Sequence, residues 1–463
     1  MTKFSTKALL SVSILAISGC ATSANTAIST QQIQSELNLL NAPANWAFGP
    51  QINAEIADNW ASIIDDLELK ELIQEALENN HSLKVSAENI ARSQALLKQS
   101  GASRLPTLSS TLSSTGRTAL DDINLGETYS AGLNASWEID LWGQIRDNIT
   151  SAEYDLEGVK SVYNSAKQSL TASVIRAYTN LVEAKNRRDL SKATLDAQLE
   201  TLRIVNVRFE FGNANHREQV LAQSDVANAQ DNLAVAEADV RTAVRALEVL
   251  LGRYPDATLQ ISDNFPKVST SIAAGQPADL LRRRPDVLSA EYNVRAAFAN
   301  ESSTVSSKWP TLRINSDLAS SVDNLGDILN PADLALSIGA RLADTLFDGG
   351  LTNARIEAAQ ATSRQAVRSY GQVVLDAFAD VENALDTIKL LDERYEYVLK
   401  ASEASRETLR LAEIQYKAGD FELLDVLTFR QRSFQSDQAL LSVKRQLIDA
   451  RIALYLALGG GST

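Results

Sequence analysis

The chain has 463 residues and carries 44 Lys and Arg against 58 Asp and Glu, a formal net charge of -14 at pH 7. A surface this acidic disfavours nucleic acid as a partner. One cysteine and two histidines supply neither a disulfide framework nor a thiolate or imidazole metal cluster, and they leave no histidine network for catalysis. We therefore expect no catalytic residues, no metal site and no cofactor.

The N-terminus, residues 1–19, predicts a signal peptide. Lys3 and Lys7 form a short basic region, and the apolar stretch after them is too short to span a bilayer as a helix. Small residues then precede Cys20, the only cysteine, in the run LAISGC. This run resembles the bacterial lipobox, which implies cleavage before Cys20 and lipidation of its thiol. Ala21 stands where an inner-membrane retention signal often has Asp, so the resemblance implies a lipid anchor in the outer membrane.

The rest of the chain contains a tandem duplication. Four landmarks recur in the same order at an offset of 204 to 207 residues. A near-constant offset indicates one structural unit repeated, so each half should build the same elements. The paired segments are 105–108 with 309–312, 141–143 with 346 and the glycines after it, 208–212 with 415–419, and 250–252 with 457–459.

Helices and strands follow from the positions of proline and glycine. All nine prolines lie outside 107–254 and 332–463, which predicts long helices there. A segment at 20–69 should pack at the waist, the equatorial region of the molecule where the short helices meet. The first repeat, 70–251, should contain a helix at 70–101, a β-hairpin at 105–141, a long helix at 144–210, a tip at 211–213 and a return helix at 214–251. A waist linker at 252–284 leads to the second repeat, 285–458, with a helix at 285–308, a β-hairpin at 309–344, a long helix at 350–417, a tip at 418–420, a return helix at 421–458 and a tail at 459–463.

The two hairpins have the alternation of membrane strands. Residues 129–141 alternate between apolar side chains on one face and polar or small ones on the other, and 333–342 repeat the pattern. Outer membrane β-strands have such faces, although a half-buried strand of a soluble sandwich has them too. Four strands cannot close a barrel, and open edges are not tolerated in lipid. A homo-oligomer is therefore expected: a dimer would have eight strands and a filled bore, a trimer twelve and a passage.

The second long helix has a seven-residue apolar repeat. Its seam positions step by three and four residues alternately, which favours a coiled coil over an ordinary amphipathic helix with a period of 3.6. The seam residues are Val374, Ala377, Val381, Ala384, Ile388, Leu391, Tyr395 and Val398.

Three motifs connect the chain with a known family. The segments WEIDLWG at 137–143, LRRRPDV at 281–287 and LYLALGGG at 454–461 occur in that order. Together they resemble the TolC-like outer membrane efflux proteins, in the lipoprotein branch that serves RND-type pumps. The resemblance implies a mixed membrane protein with a tandem-duplicated protomer of long coiled-coil α-helices and four β-strands. Three protomers would form a 12-stranded outer membrane β-barrel on a periplasmic α-helical barrel.

The resemblance also implies a function and partners. The trimer would be a passive conduit that exports small molecules such as drugs or toxic compounds. Its helix tips would contact a periplasmic adaptor protein and, through it, an inner-membrane RND-type transporter. The adaptor-contacting residues would be Arg208, Phe209, Gly212, Tyr416 and Gly419.

A periplasmic gate is implied just beyond the second tip. Leu424 matches the apolar constriction of the family, but Thr428 stands where the family usually has an acid. The nearest acid is Asp425, one helical turn closer to the tip. Asp420, Glu422 and, in the first repeat, Glu218 are further gate candidates. For the acids beyond Gly419 the alternative role is local, because carboxylates in a first helical turn stabilise the helix dipole.

Aromatic side chains mark the expected membrane interface. Trp137 and Trp142 lie where strand becomes helix in the first repeat, and Phe347 lies at the matching place in the second.

Two other functions remain open from the sequence. One is a lipid-anchored periplasmic coiled-coil scaffold or adaptor that does not perforate the membrane. The other is a channel for metal efflux or type I protein secretion. Met1 is the only methionine, which argues against a thioether relay for soft metals in this subunit.

Overall fold

The computed structural model describes residues 21–39, 46–48, 64–117, 126–268 and 274–460. The expected signal peptide and Cys20 lie outside the described residues. Within the described part of the chain, no helix is long and apolar enough to cross a membrane.

The chain divides into two compact units, and each draws on both repeats. We call them the sheet unit and the helical unit. Of the described residues, the sheet unit contains 21–39, 95–117, 126–155 and 292–368, and the helical unit contains 46–48, 64–94, 156–268, 274–291 and 369–460.

The first repeat opens with two helices where the sequence predicted one. After α1 (Ala21–Leu39) and β1 (Ile64–Asp65) come α2 (Leu67–Asn79) and α3 (His81–Ala102). The prediction of one continuous helix at 70–101 is wrong, because extended backbone at Asn80, with φ −62° and ψ 124°, interrupts it. The Asn80 side chain stabilises the break: its Oδ1 accepts from Leu83 N at 3.1 Å and its Nδ2 donates to Leu250 O at 3.0 Å.

The first hairpin and its two long helices follow. They are β2 (Thr107–Arg117), β3 (Gly126–Ile139), α4 (Gln144–Glu210) and α5 (His216–Leu250). The Asp140 carboxylate accepts from the backbone N–H groups of Ile145 at 3.2 Å and Arg146 at 2.8 Å. These bonds satisfy donors that a helix start leaves without partners, so the strand-to-helix junction is also a cap.

The linker between the repeats is partly regular. It contains β4 (Lys267–Val268), which pairs antiparallel with β1, and the short helix α6 (Pro277–Arg283). Buried Glu248 of α5 accepts from the backbone N–H groups of Ala257 and Thr258, both at 2.9 Å. The linker is therefore held to the return helix by a buried carboxylate.

The second repeat has the same order of elements as the first. It contains α7 (Pro285–Ser306), β5 (Thr311–Val322), two 3-10 turns (Leu325–Asp327 and Pro331–Asp333), β6 (Ala335–Ala343), α8 (Leu351–Ala418) and α9 (Leu423–Ala457). Asp348 caps α8 by accepting from Thr352 N at 2.8 Å and Thr352 Oγ1 at 2.6 Å. These hydrogen bonds lower the pKa of the Asp348 carboxyl, because they favour its charged form.

The predicted seam on α8 is the packing face of that helix. Val374, Ala377 and Val381 are fully buried, Ala384 and Leu391 are buried, and the other three seam residues are half-buried. The main core of the helical unit includes Leu69 of α2, Tyr178 of α4, Leu247 of α5 and Ile452 of α9. Each such side chain stabilises the unit by roughly 1.5–3 kcal/mol through its burial.

The four long strands form one antiparallel sheet in the order β2-β3-β5-β6. The two outer pairs are the hairpins, and the central pair, β3 with β5, joins the two repeats. β2 and β6 have no strand partner on their outer edges within the described residues. The sheet therefore has two free edges.

Candidate functional site

The first interhelical turn connects α4 to α5 and is closed by hydrogen bonds. Gly212 has a φ of +73°, a conformation that favours glycine because other residues would place Cβ against the backbone. Asn215 caps α5: its Oδ1 accepts from Glu218 N at 3.0 Å, and its Nδ2 donates to Glu218 Oε1 at 2.7 Å. The half-buried Glu218, a gate candidate from the sequence, is thus part of the cap of the first turn.

The second turn connects α8 to α9 and lacks such a cap. Gly419 has a φ of +89°, as its counterpart Gly212 predicts. Glu422 occupies the N-cap position of α9 with extended backbone, but its side chain makes no capping hydrogen bond. Asp420, Glu422 and Asp425 are all exposed. Three carboxylates therefore stand in solvent at this turn.

The start of α9 has a buried side and an exposed side. Leu423, Val426 and Leu427 are buried in a small core shared by both turns. Leu424 faces the other way and is 58% exposed, together with Asp425 and Thr428. The Thr428 hydroxyl donates to Leu424 O at 2.8 Å, so it is engaged by its own helix. The structure thus brings Leu424, Asp425 and Thr428 onto one exposed surface.

Arg208 and Tyr416 join the two turns. Arg208 Nη2 donates to Tyr416 O at 2.9 Å, and the guanidinium carbon lies 4.4 Å from the centroid of the Tyr416 ring. Tyr416 is 6% exposed, and burial raises the pKa of its hydroxyl. That hydroxyl has no hydrogen-bond partner in the described part of the chain. Tyr416 is therefore held by its ring and its backbone, whereas Phe209 and the neighbouring Phe211 remain exposed, at 39% and 77%.

Arg430 is a contact that the sequence analysis missed. It is buried on α9, two residues beyond Thr428 and six beyond Leu424. Its guanidinium pairs with Glu413 of α8 at 2.7 Å and donates to Gln198 and Thr201 of α4, at 2.9 and 3.0 Å. An arginine on the buried side of α9, in register with Leu423 and Val426, was the available signal.

Two tryptophans hold the junction between the sheet and its helices. Trp137 Nε1 donates to Arg104 O at 2.9 Å, and Trp142 Nε1 donates to Pro310 O at 2.8 Å. Trp142 also stacks on Trp309, with ring centroids 5.3 Å apart. Trp309 was missed, although it aligns with Leu105 in the duplication. Phe347 is 89% exposed and joins no such contact among the described residues.

The sheet has one polar and one apolar face, as the alternation predicted. Side chains of β3 and β5 meet on the polar face in three pairs: Ser130 with Ser321 at 3.2 Å, Asn134 with Asp317, and Glu138 with Arg313 at 2.8 Å. The opposite face contains the cross-strand pairs Leu133 with Leu318, Trp137 with Ile314 and Leu312 with Leu342. Many of its apolar side chains are exposed in the single chain, including Leu108, Leu112 and Ile338 at 73–75%.

No group of three or more His, Cys, Asp or Glu among the described residues is arranged to hold a metal ion. The candidate features described above are surfaces: the two turns, the tryptophan junction and the two faces of the sheet.

Comparison with known proteins identifies the family. The profile described as "Outer membrane efflux protein" matches residues 72–253 and 277–460, so it covers most of the chain in two segments. The pyoverdine export outer membrane protein OpmQ of Pseudomonas aeruginosa is 29% identical over 91% of this chain and 92% of its own length. The cation efflux system protein CusC of Escherichia coli O6:H1 is 27% identical over 87% of this chain and 88% of its own.

A solved structure has the same fold. The open state of the Neisseria gonorrhoeae MtrE outer membrane channel superposes with a TM-score of 0.81 at 26% identity, covering 91% of this chain and 96% of that one. The two matched segments begin 205 residues apart and end 207 apart, within the offset seen in the sequence. The chain therefore belongs to the outer membrane efflux protein family, has the TolC-like fold, and is the outer membrane channel component of an efflux system.

Proposed function

We propose that this protein forms a homotrimeric, lipid-anchored channel that receives small molecules from a periplasmic adaptor and an inner-membrane RND-type transporter. The observation that carries the trimer is the four-stranded sheet with two free edges and one apolar face. Three copies would place β6 of each beside β2 of the next and close twelve strands around a passage. The polar face would line that passage, and the apolar face would contact lipid.

Light scattering tests the assembly. The precursor chain has a mass of 50.2 kDa, so the detergent-solubilised protein should have a mass close to three times that of the mature chain. A stable monomer that retains the sheet would contradict the proposal.

The two interhelical turns, α4–α5 and α8–α9, are the proposed contact with the adaptor. Phe209 and Phe211 are exposed beside the Arg208–Tyr416 contact, and exposed aromatic side chains are favoured at protein interfaces. Site-specific photo-crosslinkers at 211 should capture a periplasmic adaptor protein in the host cell. A crosslinker at exposed Tyr254, in the linker, is the matched control and should capture less.

The lipid anchor is proposed at Cys20. Metabolic labelling with palmitate should mark the wild type and not Cys20→Ala. The variant should still reach the outer membrane, because the strands supply their own lipid-compatible face. Labelling of Cys20→Ala at the wild-type level would refute the anchor site.

The proposed cargo is a small molecule. The names of OpmQ and CusC report pyoverdine and cation export for those proteins. Deleting the gene in its host should sensitise the cells to small toxic compounds, and restoring the gene should reverse this. A host in which the deletion changes only the secretion of a protein would contradict small-molecule export.

A further inference from the structure

In one cross-strand row on the polar face of the sheet, two arginines lie opposite each other. Glu138 of β3 lies opposite Arg313 of β5, and Arg313 lies opposite Arg341 of β6. The three residues therefore share one row across three strands. Like charges directly opposite each other destabilise a sheet, so the Arg313–Arg341 pair calls for a compensating partner.

Glu138 compensates only one of the two arginines. Its Oε2 accepts from Arg313 Nη2 at 2.8 Å and from Nε at 3.1 Å. Arg341 is exposed, and its guanidinium has no ion pair or hydrogen bond with any described residue. Each chain thus has one positive charge in this row without a counter-charge.

The surroundings of Arg341 leave room for a solute. Gly339 and Ala343 are its neighbours on the same face of β6, and no atom lies within 4 Å of where a Cβ on Gly339 would be. On β2, which would border β6 of another copy, the residues of the polar-face parity from 107 to 115 are Thr107, Ser109, Thr111, Ser113 and Thr115. None is a carboxylate, so the neighbouring strand would not neutralise Arg341.

We propose that Arg341, with Arg313 beside it, forms a basic belt that binds organic oxyanions, such as carboxylates and sulfonates, as they pass along the polar face. The inference rests on the proposed trimeric channel, in which three copies of this row would line one level of the passage. Rings of arginine favour anions in pores, and the planar guanidinium can bind both oxygens of an oxyanion. In a chain with a net charge of -14 such a belt is a local reversal of sign.

Current block in planar bilayers tests the belt. The probe is pyranine, a pyrene trisulfonate, and the readout is the concentration that halves the channel current. Arg341→Gln should raise that concentration roughly tenfold, the equivalent of losing one charge-assisted contact. Glu138→Gln should lower it, because it releases Arg313 from its ion pair. Arg355→Gln removes the same charge from α8 and should leave the block unchanged.

Two further comparisons show whether a negative result contradicts the basic belt, reflects faulty assembly of a variant, or contradicts the proposed channel. Arg341→Lys keeps the charge but loses the planar guanidinium, so the pyranine concentration that halves its current should lie between those of the wild type and Arg341→Gln. A value in Arg341→Lys equal to that in Arg341→Gln would overturn the belt. A wild-type channel that conducts but shows the same pyranine block in Arg341→Gln and Glu138→Gln would also overturn it, while the channel would stand. Absence of any conductance, in the wild type and in Leu424→Ala alike, would overturn the proposed channel itself.

Discussion

The two interhelical turns, α4–α5 and α8–α9, occupy matching positions in the duplication but are stabilised in different ways. In the first, Asn215 and Glu218 exchange two hydrogen bonds that close the start of α5. In the second, Glu422 makes no cap, and the acids around it stand in solvent. The second turn instead depends on the small core beneath it and on Arg208. Both turns share that core, but only the first has a side-chain cap, and the second has exposed carboxylates and an exposed leucine instead.

The largest expected effect is at the contact between the turns. Tyr416→Ala removes a buried aromatic ring and the surface on which Arg208 lies, and it should destabilise the paired turns by about 3 kcal/mol. Hydrogen exchange of the amides in 409–427 would measure the loss. Tyr416→Phe is the control: it removes a buried hydroxyl without a partner, so stability should change by less than about 0.5 kcal/mol. A large loss in Tyr416→Phe would show that the hydroxyl has a partner in the assembly.

The next effect is on conductance. Leu424 is the large apolar side chain on the exposed side of α9, and in a trimer its copies would form an apolar constriction. Leu424→Ala should raise the resting conductance in planar bilayers several-fold. Thr428→Ala, on the same surface, should do much less because the hydroxyl is bound to Leu424 O. Equal effects of the two variants would place the constriction elsewhere.

The exposed acids should set ion selectivity. Three Asp425 carboxylates near one axis would attract cations, so Asp425→Asn should weaken the cation selectivity seen in reversal potentials. If instead Glu422→Gln or Asp420→Asn abolishes selectivity while Asp425→Asn does not, the acidic ring lies nearer the tip. If none of the three changes it, their role is limited to the helix dipole.

The smallest expected effect is on the stability of the helix starts of α5 and α9, of which only the first has a side-chain cap. Asn215→Ala should destabilise the first turn of α5 by about 1 kcal/mol, because it removes a capping acceptor. Glu422→Ala should leave the first turn of α9 nearly as stable as before, since that side chain makes no cap. Hydrogen exchange at both helix starts would measure the difference. Equal protection losses would mean that Glu422 acquires a capping role in the trimer.

The duplication and the hydrophobic periodicity made most of the fold predictable. The strands, the long helices and the seam on α8 follow from local patterns, so their positions needed no knowledge of distant contacts. The break at Asn80 is marked by neither proline nor glycine, and its local signal is a single asparagine of the kind that caps helix starts. It was nevertheless available from the second repeat: Pro285 follows Arg284 at the offset of 204 that brings Arg284 over Asn80.

The contacts between repeats were the part that the sequence could not predict. Arg208 and Tyr416 are 208 residues apart, and although the duplication brings their segments into matching positions, it does not show that the two segments touch. Arg430 also binds α4 and α8 through side chains that are far apart in sequence. Such contacts depend on how helices pack, which residue patterns within one helix do not specify.

The central strand pair has a consequence for how the chain folds. Each hairpin joins strands close in sequence, as with Thr107 and Ser136, which are 29 residues apart. The β3–β5 pairing instead joins residues such as Ser130 and Ser321, 191 residues apart. Because closing a loop costs more entropy as it lengthens, we expect the hairpins and helices to form first and the four-stranded sheet last. The lipid-compatible surface would then be completed only once both repeats have been delivered across the inner membrane.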